Sequence, residues 1–265
     1  MNLKTTFPAL LFGLTTLCTS CNKNVTKIAA KKHMIENDAQ FQKLLKDTFS
    51  TKYSDEQKII SFNTINQVYN GNCSNYIIVD KKNCQAKVYT PLGHLLYKTE
   101  VALGRNIGDK RSGGYMVPGA KLAAYTTPGE YIIAKEGSKN SKNIKLYGQR
   151  VLPLIGDHTQ EAYKQSQSLA LHRVPKTPMG KLRENVFNNK TLKDNRVSFG
   201  CVNFLTESYD KMRKLISGKG TKVYILPEEK GNSLHLERQK DGNYKFFQTK
   251  YRYESQEKQL NKKMR

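Results

Sequence analysis

The apolar positions of this chain change their spacing near residue 70. Between residues 37 and 70 they recur every three to four positions, which is typical of amphipathic helices. Two stripes result, formed by Phe41, Leu44, Leu45 and Phe49 and by Ile59, Ile60, Phe62 and Ile65. We therefore predict one or two helices in this segment, with their apolar faces packed against the rest of the fold.

From Tyr76 onward the pattern is that of strands. Short β-rich runs alternate with clusters of Gly, Pro, Ser and Asn as far as Ile133, and such clusters mark turns. Later segments add a predicted helix at Thr206–Ser217 and predicted strands at Leu152–Ile155, Leu169–His172, Thr221–Leu226, Leu234–Leu236 and Tyr244–Phe247. The predicted fold class is mostly β with a few helices.

The first residues of the chain have the pattern of an export signal. Lys4 precedes an apolar stretch from Phe7 to Leu17, which is too short to span a bilayer as a helix. The segment Cys18–Cys21 follows and resembles a bacterial lipobox with Cys21 as the lipidated residue. Because Cys18 stands where leucine is usual, an ordinary cleaved signal peptide remains the alternative. Both interpretations predict export.

The composition describes one folded domain with polar, basic flanks. The chain has 265 residues, a hydrophobic content of 37% and a net charge of +23. A chain of this length buries one sizeable core, and the low hydrophobic content leaves residues for appendages. The positive charge favours a polyanionic wall or membrane surface as a partner. Nucleic acid is the other usual partner of a basic chain, and the predicted export excludes it.

Two cysteines outside the N-terminal segment, Cys73 and Cys84, lie close together in sequence. A predicted hairpin pairs Tyr76–Val79 with Ala86–Tyr89 and places Cys84 near one end and Cys73 near the other. At ~3.3 Å per residue the two thiols are on the order of 20 Å apart, far beyond the reach of a disulfide. Cys201 then has no obvious partner, and an unpaired cysteine in an exported protein indicates chemistry.

The segment Ser198–Asn203 carries the clearest chemical signal in the chain. Cys201 directly follows Gly200, and His172 lies upstream in an apolar stretch. A cysteine and a distant histidine suggest a thiolate nucleophile with an imidazole base. The glycine lets the backbone approach closely and can free nearby N–H groups for an oxyanion. The alternative is a buried structural cysteine and a core histidine whose hydrogen bonds are satisfied.

This motif resembles the active-site signature of the L,D-transpeptidase catalytic domain, also called the YkuD domain. That signature is a histidine, a gap, and then Ser/Thr-His-Gly-Cys-hydrophobic-Asn/Arg. The segments Asp194–Val197, which precedes the motif, and Thr127–Ile133 are also similar to family patterns, and the resemblance covers roughly residues 75–227. The matching positions of the motif are His172, Ser198, Gly200, Cys201, Val202 and Asn203.

Two features depart from the family pattern. Phe199 replaces the second histidine of the usual motif, and a phenyl ring offers no titratable group. In addition, 25 residues separate His172 from Ser198, a longer gap than is common. We expect this basic insert to form a loop near the site, and we expect Phe199 to reshape the pocket for the acyl donor without ending catalysis.

The resemblance implies a YkuD-like β-sandwich and an acyl transfer that needs neither cofactor nor metal. The implied acyl donor is a peptidoglycan stem tetrapeptide, from which Cys201 releases D-Ala by attacking the carbonyl of the diamino acid at position three. An amine acceptor gives a 3→3 crosslink or attaches another protein, whereas water makes the enzyme an L,D-carboxypeptidase. The alternatives are a cysteine hydrolase acting on another amide and a non-catalytic wall-binding lipoprotein.

Each side chain of the motif has two alternative predicted roles. His172 either lowers the pKa of the Cys201 thiol by pairing with it or takes its proton during attack. Ser198 either contacts the imidazole or holds the loop. Asn203 either braces the loop or contacts substrate. The two arginines near the motif, Arg173 and Arg196, either bind a substrate carboxylate or lie solvated at the surface.

These predictions divide the chain into four parts. Residues 1–21 are a signal peptide with a lipobox, and residues 22–70 are a tether followed by bracing helices. Residues 71–227 form the catalytic domain, and residues 228–265 form a basic C-terminal extension. The expected location is outside the cytoplasm, on a membrane facing the periplasm or the cell wall.

Overall fold

A computed structural model describes residues 39–46, 49, 53–71, 73–109, 124–134, 151–156, 169–188, 195–239 and 244–248. The chain divides into two compact units, Met1–Lys43 and Leu44–Arg265. Helix α1 (residues 39–46) contains the boundary between them, and every other element belongs to the second unit. The predicted signal peptide, its lipobox cysteine and most of the tether lie outside the described residues.

Helix α2 (Asp55–Asn70) begins and ends at strong local signals. Ser54 and Gln57 form a capping box, in which each side chain accepts a hydrogen bond from the backbone N–H of the other. The helix ends at Gly71, whose φ of 65° suits a glycine. Ile59 is fully buried on its inner face. Helices α1 and α2 together confirm the helical segment predicted between residues 37 and 70.

The described residues form twelve strands, so this part of the fold is mostly β, as predicted. Their bounds are β1 (Tyr76–Asp80), β2 (Gln85–Tyr89), β3 (Leu95–Glu100), β4 (Leu103–Gly104), β5 (Gly129–Ile133), β6 (Leu152–Ile155), β7 (Ala170–Arg173), β8 (Arg196–Ser198), β9 (Val202–Phe204), β10 (Lys222–Ile225), β11 (Leu234–Arg238) and β12 (Tyr244–Gln248). Eight of them form one mixed sheet in the order β3-β2-β1-β10-β5-β6-β7-β9. The strands β4 and β8 form a parallel pair, and β11 and β12 form an antiparallel hairpin.

The parallel pairs β1–β10 and β7–β9 join segments that are distant in sequence. Helix α4 (Thr206–Lys214) follows β9 and buries Tyr209 and Met212 in the core of the sheet. The ring of Tyr209 packs edge-on against Phe204 of β9, with 5.8 Å between the ring centroids. This packing fixes the end of β9, and β9 begins immediately after the cysteine of the motif.

The insert between His172 and Ser198 contains a helix where we predicted a loop. Helix α3 (Pro178–Asn185) is followed by a 3-10 helix (Val186–Asn188). Thr177 is the N-cap of α3, and its hydroxyl oxygen accepts a hydrogen bond from the Gly180 N–H at 3.1 Å. A threonine at the N-cap with a proline at the first helical position is a strong start signal, which explains the helix.

The predicted hairpin that carries Cys73 and Cys84 is present as β1 and β2, in the predicted register. Val79 pairs with Ala86 and Tyr76 pairs with Tyr89, which places Cys73 and Cys84 at opposite ends. Cys73 is a free thiol, so no disulfide joins it to Cys84. Among the described helices, none has both the length and the apolar character needed to cross a bilayer.

Candidate active site

His172 and Cys201 lie on adjacent parallel strands. In the register between β7 and β9, Leu171 pairs with Val202 and His172 pairs with Asn203. Cys201 directly precedes β9, and alternate residues of a strand share a face of the sheet. His172 and Cys201 are therefore diagonal neighbours across the β7–β9 pair.

The environment of His172 selects its tautomer. The residue is fully buried, and its Nδ1 lies 2.6 Å from the carbonyl oxygen of Arg173. Because a carbonyl only accepts hydrogen bonds, Nδ1 must carry the proton, and Nε2 keeps its lone pair. Burial and the nearby charge of Arg183 lower the pKa of His172 to about 4, against the opposing effect of the Arg173 carbonyl. The imidazole is therefore a neutral base near pH 7.

The Cys201 thiol is also neutral at rest. Burial raises its pKa to about 11, although a hydrogen bond with the Ala170 backbone and the charge of Arg183 act in the opposite direction. The predicted lowering of this pKa by pairing with His172 stays a prediction. The other predicted role is compatible with this geometry: a neutral imidazole can take the proton as the sulfur attacks.

Ser198 and Thr126 hold the loop that carries Cys201. The buried Ser198 hydroxyl donates to the Cys201 carbonyl oxygen at 2.6 Å and accepts from the Gly200 N–H at 3.0 Å. The Thr126 hydroxyl donates to the Gly200 carbonyl oxygen at 2.8 Å. Gly200 has a φ of 122°, which side chains other than glycine rarely adopt. This geometry supports the role of holding the loop over contact with the imidazole.

These bonds change which N–H groups are available to an oxyanion. The Gly200 N–H already donates to the Ser198 hydroxyl oxygen, so in this arrangement it is not available to an oxyanion. The Cys201 N–H donates to no residue in the part of the chain that the structure describes. It is therefore the remaining backbone donor in the motif.

The side chain of Asn203 holds the backbone of the motif. Its side chain is fully buried, and its amide nitrogen donates to the Cys201 carbonyl oxygen at 3.0 Å. Its side-chain oxygen accepts from the Arg183 guanidinium at 3.2 Å. The Asn203 backbone exchanges two hydrogen bonds with Ala102, at 2.8 and 2.9 Å. This geometry supports the bracing role over contact with a substrate.

The two arginines predicted to bind a substrate carboxylate have protein carboxylates as partners instead. Arg173 forms an ion pair with Asp210 of α4, and its guanidinium lies 5.4 Å from the centre of the Tyr209 ring. Arg196 forms an ion pair with Glu228 and donates to the Lys81 carbonyl oxygen at 2.6 Å. Neither is a solvated surface arginine. The partner acids lie 37 and 32 residues further along the chain, so sequence spacing did not reveal them.

Arg196 belongs to a buried ionic network that the sequence analysis missed. The Lys81 ammonium lies 2.8 Å from Asp109 and 3.2 Å from Glu228, with the side chains of Lys81 and Asp109 fully buried. The backbone N–H groups of Glu228 and Glu229 also donate to Asp109, at 3.0 and 2.9 Å. Burial raises the pKa of Asp109, but the Lys81 ammonium and these donors outweigh it and bring the pKa below its ordinary value.

Phe199 lies at the surface beside two cations. Its side chain is 44% exposed, and the guanidinium carbons of Arg105 and Arg183 lie 5.4 and 5.7 Å from its ring centroid. These distances are within the range of cation–π attraction. Arg183 comes from α3 in the insert, and the analysis of the sequence assigned it no role at the site. Among the described residues, no group of His, Cys, Asp or Glu side chains could hold a metal ion.

Comparison with known proteins gives structural similarity at low identity. No protein-family model and no curated protein sequence matches the chain. The helical cell shape determining protein Pgp2 from Campylobacter jejuni is 16% identical over 59% of this chain and 49% of its own, with a TM-score of 0.39. An L,D-transpeptidase from Enterococcus faecium is 16% identical over 58% and 50%, with a TM-score of 0.34.

A third similar structure is an L,D-transpeptidase from Stackebrandtia nassauensis, 17% identical over 65% of this chain and 68% of its own, with a TM-score of 0.37. The chain spans about half the length of the Campylobacter and Enterococcus proteins. All three TM-scores are below 0.4.

Proposed function

We propose that this protein is a cysteine acyltransferase that acts on peptidoglycan stem peptides, with the activity of an L,D-transpeptidase. One observation carries the proposal. The β7–β9 register brings His172 and Cys201 to one face of the sheet, and the Arg173 carbonyl leaves Nε2 of the imidazole as the base. The motif that surrounds Cys201 resembles that of the L,D-transpeptidase domain and supplies the substrate class.

The reaction begins with both groups neutral. Nε2 of His172 takes the thiol proton while the sulfur of Cys201 attacks the carbonyl carbon of the diamino acid at position three of the donor. The oxyanion forms next to the Cys201 N–H. When the tetrahedral intermediate collapses, the bond to D-Ala breaks, and the imidazolium returns its proton to the leaving amine. The products of this half are an acyl thioester on Cys201 and free D-Ala.

The second half reaction transfers the acyl group. An acceptor amine attacks the thioester carbonyl, His172 accepts the proton of that amine, and the Cys201 thiolate leaves and is reprotonated. The product is a new amide bond, either a 3→3 crosslink or an attachment to another protein. Water as the acceptor gives a free tripeptide, which is the L,D-carboxypeptidase outcome.

The location we propose is outside the cytoplasm. The apolar stretch from Phe7 to Leu17 and the segment Cys18–Cys21 support export, with Cys21 as the lipid anchor to a membrane. The net charge of +23 favours an anionic wall or membrane surface. The mass of the mature N-terminus tests this part: a diacylglyceryl-modified Cys21 is expected, and a protein cleaved elsewhere would be a soluble exported enzyme.

Product analysis tests the proposed activity. The purified protein is incubated with tetrapeptide muropeptides, and the products are separated and identified by mass spectrometry. We expect release of D-Ala with either a 3→3 dimer or a tripeptide, strongly slowed turnover in His172→Gln, and no turnover in Cys201→Ala. Cys73→Ala is the matched control, because it removes a thiol outside the site and should retain full activity. Turnover by Cys201→Ala would reject the proposal, and so would an unreactive wild-type protein.

A further inference from the structure

The proposed reaction creates negative charge where the resting site has none. His172 and Cys201 are both neutral near pH 7, and attack converts the thiol into an anionic sulfur and then places charge on the carbonyl oxygen. The imidazolium that forms balances this charge only while it holds the proton. A fixed cation near Cys201 would favour each anionic state throughout the reaction. Arg183 is a cation in this position.

Arg183 contacts motif residues that precede and follow Cys201 in the sequence. It is 9% exposed, and it donates to the Asn203 side-chain oxygen at 3.2 Å, while Asn203 donates to the Cys201 carbonyl oxygen. On the other side, its guanidinium carbon lies 5.7 Å from the centre of the Phe199 ring. Residues 199 and 203 bracket Cys201 within the motif. These contacts fix the position of the Arg183 guanidinium relative to the motif loop.

Helix α3 explains how an arginine of the insert reaches this position. The helix begins at the Thr177 cap, and Arg183 lies in its last turn. Lys181, two positions earlier on the same helix, is exposed. Residues two apart on a helix point in different directions, so the helix directs one cation to the site and the other to solvent.

The electrostatic effect of Arg183 acts on both members of the reactive pair. Its positive charge opposes the rise in the pKa of the Cys201 thiol and adds to the fall in the pKa of His172. A guanidinium stays charged at every pH at which the protein is folded. Because the site is largely buried, its charge is screened less than a surface charge would be.

We propose that Arg183 is a positioning residue whose fixed charge stabilises the anionic sulfur of Cys201, and that Phe199 and Asn203 hold its guanidinium in place. This inference rests on the proposed role of Cys201 as the nucleophile. It also gives the phenyl ring of Phe199 a function in the motif, because an exposed aromatic face attracts a guanidinium without itself titrating.

The test measures the reactivity of the thiol without any peptidoglycan substrate. The purified full chain is alkylated with iodoacetamide between pH 7 and 9, and mass spectrometry of the digest follows the peptide that contains Cys201. The thiolate displaces iodide, so in this pH range the rate follows the thiolate fraction. Iodoacetamide is uncharged, so a change in protein charge does not alter its approach. The peptide that contains Cys73 is the internal reference.

Arg183→Gln should slow alkylation of Cys201 by about three- to tenfold, because each unit of pKa changes the thiolate fraction tenfold. Arg183→Lys keeps the charge and should recover at least half of the loss. Lys181→Gln removes the same charge from the exposed face of α3 and should leave the rate unchanged. A purely structural role would give the opposite result, since a loosened loop exposes the thiol and speeds alkylation.

Phe199→Leu provides a second test if Arg183→Gln does not fold. The side chain is at the surface, so the fold should survive, and loss of the ring should slow alkylation by about two- to fivefold. An unchanged or faster rate in the folded Arg183→Gln protein, or in Phe199→Leu, would overturn the inference. Failure of the proposed function is a separate result: a protein that turns over no muropeptide can still show the charge effect on Cys201.

Discussion

At the scale of single residues, the two members of the proposed reactive pair, His172 and Cys201, are both neutral. Burial lowers the pKa of His172 to about 4 and raises that of Cys201 to about 11, so neither group carries charge near pH 7. The Arg173 carbonyl fixes the proton of the imidazole on Nδ1. For the proposed reaction this implies a general-base mechanism, in which the thiolate exists only when the proton moves to Nε2 during attack.

The buried imidazole also predicts how stability depends on pH. Because the pKa of folded His172 lies below its ordinary value of 6.5, the unfolded chain binds a proton that the folded chain does not between about pH 6.5 and pH 4. The free energy of unfolding should therefore fall by about 3 kcal/mol across this window as the pH drops. In His172→Gln this part of the pH dependence should disappear, as measured by urea denaturation at pH 7, 5.5 and 4.

His94→Gln is the control for this prediction, because it removes an exposed imidazole and should keep the wild-type pH dependence. The comparison uses the change in stability with pH, so a constant loss from the buried glutamine does not affect it. Equal pH dependence in the wild-type protein and His172→Gln would contradict a buried, neutral His172.

The sequence indicated the two residues of the proposed pair and missed their electrostatics. The motif around Cys201 is local, so its residue types and their spacing are visible in the chain. The charge states depend on burial and on Arg183, and both arise only when β7, β9 and α3 come together. The same reason explains why the partners of Arg173 and Arg196 were not predicted, since Asp210 and Glu228 are brought near by the fold.

At the scale of elements, one buried hydroxyl from outside the motif, that of Thr126, helps to hold the loop between β8 and β9. Thr126 is fully buried; it donates to the Gly200 carbonyl oxygen at 2.8 Å and accepts from the Gly104 N–H at 2.8 Å. It therefore ties the end of β4 to the motif loop. Strands and helices were largely predictable because their periodicity is local. The two hydrogen bonds of Thr126 were not, because they join it to residues 74 and 22 positions away in the sequence.

Thr126→Val keeps the shape of this side chain and removes both hydrogen bonds. Two buried backbone groups then lose a partner, and each such loss costs about 1–3 kcal/mol. We expect the free energy of unfolding to fall by about 2 kcal/mol or more, and alkylation of Cys201 to change as the loop loosens. Thr99→Val on the edge strand β3 is the matched control and should be close to neutral. A stability equal to that of the wild-type protein would show that Thr126 does not anchor the loop.

At the scale of the whole molecule, the buried ionic network joins segments from three parts of the chain. Lys81 follows β1, Asp109 lies after β4, and Glu228 follows β10, while Arg196 connects the network to β8. Because β8 leads directly into the motif loop, the network supports the site through the fold. The network could not be predicted from the sequence, because charged residues that are isolated and distant in sequence resemble surface residues.

Lys81→Met removes the cation at the centre of this network. Asp109 and Glu228 are then left buried without their ammonium partner, and breaking a buried ion pair in this way costs about 3–5 kcal/mol. Chemical denaturation should show this loss. Lys211→Met, in an exposed pair with Glu207 on α4, is the control and should cause no measurable loss. A similarly small loss in Lys81→Met would show that the network does not stabilise the fold.

The most direct test of the central claim is the mass of the acyl-enzyme. The protein is mixed with a stem tetrapeptide donor, quenched in acid, and measured intact and after digestion. The account predicts a mass increase equal to the donor minus D-Ala, located on Cys201, slowed in His172→Gln and missing from Cys201→Ala. An adduct on another residue, an adduct that persists in Cys201→Ala, or a wild-type protein that never acquires one would contradict it.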